Sequence, residues 1–167
     1  MKKRLLIIRS ISFQQLDTNL IEIKKHFEGY EIHLLTHEHG KKLAEKYKDI
    51  DKIWIYPYKS GFHFKNKCED LNKQFFDAII IPVTNLSGTG FVNVFLFSLT
   101  IPAKQRYICN LVSDIKSISQ GGIGWLWFRS GVYSLLSYIL AAIVGGIGFI
   151  IFFMTKWIGN IFKKGSR

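Results

Sequence analysis

Cysteine and proline are scarce in this chain, with two and three in 167 residues. Cys68 and Cys109 lie far apart and form neither a CxxC pair nor a ligand spacing, which excludes a disulfide scaffold and a zinc ribbon and leaves two reduced thiols. There is no HExxH. His37-Glu38-His39 falls where a strand should end and reads as a solvated turn, so no metal is expected. Phosphate-loop signatures are missing too: no GxGxxG follows the first strand and no GxxxxGK[ST] occurs anywhere, which removes the dinucleotide and P-loop readings and leaves no cofactor expected. The first apolar run, residues 5–8, is too short for a secretory signal, so the amino-terminal domain is expected to stay in the cytoplasm. Finally, acids are absent from Gln120 onward, where Arg129, Lys156, Lys163, Lys164 and Arg167 remain.

What is present is a long apolar end. Residues 132–155 carry no charged side chain, and about 24 residues at ~1.5 Å each make roughly 36 Å of helix, enough to cross a hydrocarbon core of roughly 30 Å. Trp125, Trp127 and Arg129 before it, and Lys156 and Trp157 after it, are the aromatic and basic anchors expected at a membrane interface. Ile158, Ile161 and Phe162 beside Lys163 and Lys164 make residues 156–167 a basic amphipathic tail. The formal charge of +11 thus points to membrane lipids as a partner. Nucleic acid is not expected, because the other lysines are scattered among acids and form no basic stripe.

The first 112 residues alternate short apolar runs with helical patterns. Residues 5–8 are a continuous apolar strand, and Asp17 or Thr18 is placed to cap a helix in which Leu20, Ile23 and Phe27 recur. Strands follow over 30–36, around 50–56 and over 76–83, with polar helices over 41–47 and 65–75, an apolar helix over 91–100 and a last strand over 106–109. This β-α order predicts an α/β fold with a Rossmann-like, doubly wound parallel sheet that binds ligands at the carboxyl ends of its strands. Arg9 and Ser10 end the first strand, and Ser87, Gly88, Thr89 and Gly90 form a glycine-rich turn after the fourth that either cradles an anion or serves the backbone alone. Residues 113–131, polar and rich in serine at their start, read as a juxtamembrane linker in which Ser113 or Asp114 starts a short helix.

Taken in order, LLIIR, YEIHLLT, DIDKIWIYP, FFDAIIIPV and IPAKQRYI resemble the amino-terminal half of the heptosyltransferase-like family 9 glycosyltransferases, over residues 2–110. That resemblance implies one half of a GT-B fold and a place in lipopolysaccharide or other envelope polysaccharide synthesis. The family places a Gly-Asp pair after the first strand, its aspartate acting as base toward the acceptor hydroxyl. Here the loop reads Ser10-Ile11-Ser12-Phe13-Gln14-Gln15-Leu16-Asp17, so Asp17 is the carboxylate left for that role, and it equally suits a helix cap. The family's donor-binding domain is replaced by the apolar segment.

The resulting expectation is a membrane-anchored, glycosyltransferase-like subunit that positions an acceptor for a partner protein carrying a nucleotide-sugar-binding domain, and that does not catalyse transfer alone. The alternative is a non-catalytic membrane scaffold on a degenerate glycosyltransferase fold. One straight span places the basic tail outside, against the tendency of short basic flanks to stay inside, whereas a re-entrant hairpin bent at Gly145, Gly146 and Gly148 would return it.

Overall fold

The computed structural model describes the backbone of residues 2–164 and the side chains of residues 2–154. Six strands form one sheet: β1 (Arg4–Ile8), β2 (Glu31–His37), β3 (Lys52–Tyr56), β4 (Phe76–Pro82), β5 (Ala103–Cys109) and β6 (Ile115–Ser117). Their order is β3-β2-β1-β4-β5-β6. The first five pair in parallel, and β6 pairs antiparallel with β5. The sheet is therefore mixed, and the expectation of a wholly parallel sheet is corrected at this edge. A tight connection between Cys109 and Ile115 leaves no room for the crossover that a parallel sixth strand requires.

Strand composition explains the layering. In β1, Leu5 and Ile7 enter one core while Leu6 and Ile8 enter the other, so a continuous apolar run is needed to cover both faces. On one face lie α1 (Phe13–His26) and α2 (Lys41–Ala44), which contribute Leu16, Leu20, Ile23 and Ala44. On the other lie α3 (Glu69–Asn72) and α4 (Val92–Ser98), with Leu71, Phe95 and Phe97, joined by Ile123. Helices on both faces of a mostly parallel sheet make this unit Rossmann-like. Arg106, buried within β5, donates from Nε and Nη2 to Ser98 O and from Nη2 to Ile101 O, and so ties the carboxyl end of α4 to the sheet.

Several local expectations give way to tertiary context. Ser12, not Asp17 or Thr18, caps α1: its hydroxyl accepts from Gln15 N at 3.3 Å, and Asp17 lies inside the helix. The polar helices expected over 41–47 and 65–75 shrink to the single turns of α2 and α3. Residues 113–131 carry regular structure. Ser113 takes φ 60° in the β5–β6 turn, where Asn110 Oδ1 accepts from Val112 N and Asp114 N, and the rest of the stretch forms β6 and the start of a long helix.

That helix, α5 (Gln120–Lys164), continues through Gly145, Gly146 and Gly148 without interruption, so the hairpin alternative finds no bend there. The chain divides into two compact units, residues 1–127 and 128–167. In the second, every side chain over 130–154 is exposed although most are apolar. Among the described residues this is the one helix long and apolar enough to cross a membrane. Leaving such side chains in water forgoes about 1.5–3 kcal/mol for each large one, which a bilayer recovers.

Candidate functional site

The winding reverses between β1 and β4, and in open sheets of this kind the crevice at the carboxyl ends of the strands is where ligands bind. Arg9 and Ser10 sit at this point. Ser10 donates from Oγ to Pro82 O at 2.5 Å and joins β1 to β4. The half-buried Arg9 donates from Nε to Thr36 Oγ1 and from Nη1 to Ile11 O, both at 2.8 Å, and its guanidinium lies 4.4 Å from the Phe13 ring. Burial lowers its pKa below the ordinary value, opposed by the nearby Tyr47. No carboxylate forms an ion pair with Arg9 among the described residues.

Beyond Arg9, the chain leaves β2 through a 3-10 turn, Glu38–Gly40, and enters α2. Gly40 has no space for a side chain: a Cβ there would lie 2.5 Å from Thr36 Oγ1 and 3.1 Å from Arg9 Nη2. His37 and His39 share a cleft wall with Lys59, which follows β3. This cleft of about 790 Å³ is lined by His37, His39, Lys41, Lys42 and Lys59, with Glu38 and Glu45 also on its wall. Its size is that of a small-molecule site. The His37 and His39 rings stack at 5.4 Å, and Tyr56 and Phe62 pack against His37 at 5.1 and 4.7 Å. His37 Nε2 lies 3.2 Å from Ser60 O, which accepts from it. Burial lowers the His37 pKa, Ser60 opposes that shift, and the charges of His39 and Arg9 add to it.

The glycine-rich turn is bonded within itself. Asn85 Oδ1 accepts from Ser87 N at 3.2 Å and from Gly88 N at 2.6 Å, its Nδ2 donates to Thr89 O, and the Ser87 and Thr89 hydroxyls bond to each other at 2.7 Å. Amide groups that would hold an anion are thereby engaged within the loop. Gly88 and Gly90 both take positive φ, and a Cβ on Gly88 would meet the Phe95 ring at 2.8 Å. These glycines are explained by backbone geometry and close packing.

Asp17 accepts from the Tyr47 hydroxyl on the outer side of α1, beside a groove of about 340 Å³ that also holds the Lys24–Asp49 ion pair. Burial and then Asp17 push the Tyr47 pKa up to about 12. Arg9 lies behind the His37 cleft without lining it and interacts electrostatically with both His37 and Tyr47, Asp17 lines a different depression, and the Ser87–Gly90 turn is bonded within itself. Sequence reasoning passed over the cleft because its histidines form no metal motif. Its legible signal was that Lys41, Lys42 and Lys59 all follow strand ends. No group of three or more possible metal ligands occurs among the described residues.

Trp125 and Trp127 lie in the first turns of α5, both well exposed, and Arg129 is intermediate. Lys156, Trp157, Lys163 and Lys164 continue the helix, and their side chains lie outside the described residues, as does Arg167 altogether. No protein-family model, no curated protein and no solved structure matches the chain.

Proposed function

We propose that this protein is a membrane-anchored, glycosyltransferase-like subunit that holds an acceptor at the bilayer for a partner supplying a nucleotide-sugar. The observation that carries this reading is one chain joining a Rossmann-like unit, with an unpaired basic cleft at its strand ends, to a membrane-length apolar helix. The order of motifs resembling family 9 adds the glycan. A single Rossmann-like unit supplies one half of a GT-B site; in this reading a second protein brings the donor half, and the amino-terminal domain lies on the cytoplasmic side where nucleotide-sugars are made.

The test is affinity purification of the full chain from its native membranes, followed by nucleotide-sugar calorimetry on the chain alone in nanodiscs. The expected result is a co-purifying protein with a nucleotide-sugar-binding domain and no binding by the chain alone. Tight nucleotide-sugar binding without a partner would overturn the split-enzyme reading.

One observation favours a second reading, a non-catalytic scaffold: the one carboxylate left for the base role, Asp17, is taken up by Tyr47 inside α1. Asp17→Asn separates the two. Unchanged glycan output together with normal complex assembly favours the scaffold.

A further inference from the structure

The cleft at the carboxyl ends of β2 and β3 holds more positive than negative groups. Lys41, Lys42 and Lys59 carry three positive charges against Glu38 and Glu45, before either histidine is protonated. Among the described residues no ion pair involves any of these groups; the pairs formed are Lys24–Asp49, Lys25–Glu22, His33–Glu31 and Lys116–Asp114. Arg9 adds a further positive charge close enough to His37 to depress its pKa, and among the described residues it has no carboxylate partner either. Its two bonds, to Thr36 Oγ1 and Ile11 O, hold the guanidinium in place without neutralising it.

All three lysines and both glutamates are exposed to water, and the cleft carries an excess of one positive charge that an anion can use. The histidine wall of the cleft is held by packing: His37 and His39 stack, Tyr56 and Phe62 pack on His37, and Gly40 sits against Thr36 and Arg9. Several donors of different reach around one cavity suit a tetrahedral polyanion, since lysines act as mobile point charges. A carboxylate ligand would leave most of these donors unused.

We propose that this cleft binds the phosphoryl or pyrophosphoryl group of a ligand, through Lys41, Lys42 and Lys59 with His39 beside them. The site itself stands on its own geometry, and only its meaning, the phosphate of an acceptor, rests on the reading proposed above. The same chemistry is offered by a soluble phosphorylated compound and by a phosphate-bearing lipid, and the test separates these sources.

The experiment is calorimetric titration of the full chain, in phosphatidylcholine nanodiscs at about 0.15 M salt, with inorganic pyrophosphate. Binding is expected, and the triple variant Lys41→Ala, Lys42→Ala, Lys59→Ala is expected to bind about tenfold or more weakly with its circular dichroism unchanged. A control triple variant, Lys2→Ala, Lys73→Ala, Lys104→Ala, removes the same charge elsewhere and is expected to bind as the unaltered chain does. Repeating the titration with phosphatidic acid in the nanodisc identifies the source: weaker pyrophosphate binding marks a lipid phosphate as occupant, and undiminished binding marks a soluble one. No binding of pyrophosphate, or equal weakening in both triple variants, overturns the proposal. Either result leaves the partner and the nucleotide-sugar measurements unaffected, so failure of the site and failure of the glycan reading remain distinguishable.

Discussion

The hydroxyl of Tyr47 donates to the carboxylate of Asp17, joining the segment after α2 to the middle of α1. Phe13 reinforces the same junction, its ring 5.8 Å from that of Tyr47 and 4.4 Å from the Arg9 guanidinium. Asp17 thus acts as a clasp between α1 and the segment that follows α2, from a position inside the helix.

Tyr47→Phe should remove the clasp at a cost of about 0.5–1.5 kcal/mol, read from denaturant unfolding. The pH dependence has a definite sign. Folding raises the Tyr47 pKa from 10.0 to about 12, so the stability that its protonated form brings is complete below about pH 10 and is lost as pH rises through about 12. Spectrophotometric titration of the phenolates should place Tyr47 late, and the late amplitude should shrink in Tyr47→Phe, leaving Tyr56, whose pKa burial also raises. A tyrosine titration with no late step would contradict the assignment.

Arg106→Met should destabilise the protein by about 2–4 kcal/mol, because Ser98 O and Ile101 O lose their donors in a buried place. Burial lowers the Arg106 pKa, yet its three bonds keep the guanidinium in use. Hydrogen exchange should locate the loss at the end of α4. A uniform loss across the sheet would speak against a local tie.

Gly40→Ala should disturb the cleft more than the fold as a whole. The new methyl meets Thr36 Oγ1 and Arg9 Nη2, an overpacking cost of about 1–3 kcal/mol. The His37 resonance is the sensitive readout. In the unaltered chain His37 should titrate below 6.5, so its neutral form contributes stability that is complete above about pH 6.5 and lost as pH falls through the lowered value. Displacing Arg9 should move that titration upward.

Cys68 and Cys109 are buried, and burial pushes their thiols up to about 11 and about 12. Both should resist maleimide at about pH 8 until the protein is unfolded. Their inertness permits a direct topology test with Ser166→Cys as the only reactive thiol. Labelling from the side opposite the amino-terminal domain is the outcome expected for a single crossing. Labelling only from the domain's own side would exclude it.

The continuous apolar runs of β1 and β4 and the membrane-length stretch at 132–155 were legible because each is a local excess of apolar residues that only a doubly covered strand or a lipid-exposed helix can use. The alternation of strands and helices likewise pointed to the Rossmann-like layering. Helix ends were less legible. Ser12, Asp17 and Thr18 are all chemically competent caps, and packing of Leu16, Leu20 and Ile23 on the sheet chose the start that Ser12 closes. Lys65 to Phe75 contains helix-forming residues, but only the turn that buries Leu71 is helical.

By itself, then, the sequence determined that the chain has an α/β unit and an apolar helix long enough for a bilayer, since both follow from the period and length of hydrophobic runs. Tertiary structure decided the antiparallel β6, the self-closed Ser87–Gly90 turn, the Tyr47–Asp17 clasp and the cleft of His37, His39 and three lysines. For the first two the reason is local hydrogen bonding that hydrophobic periods do not report, at Asn110 and Asn85; for the last two it is that the groups are distant in the chain, Lys59 sharing a cleft with His37 because β3 lies beside β2 in register, Tyr56 against His37.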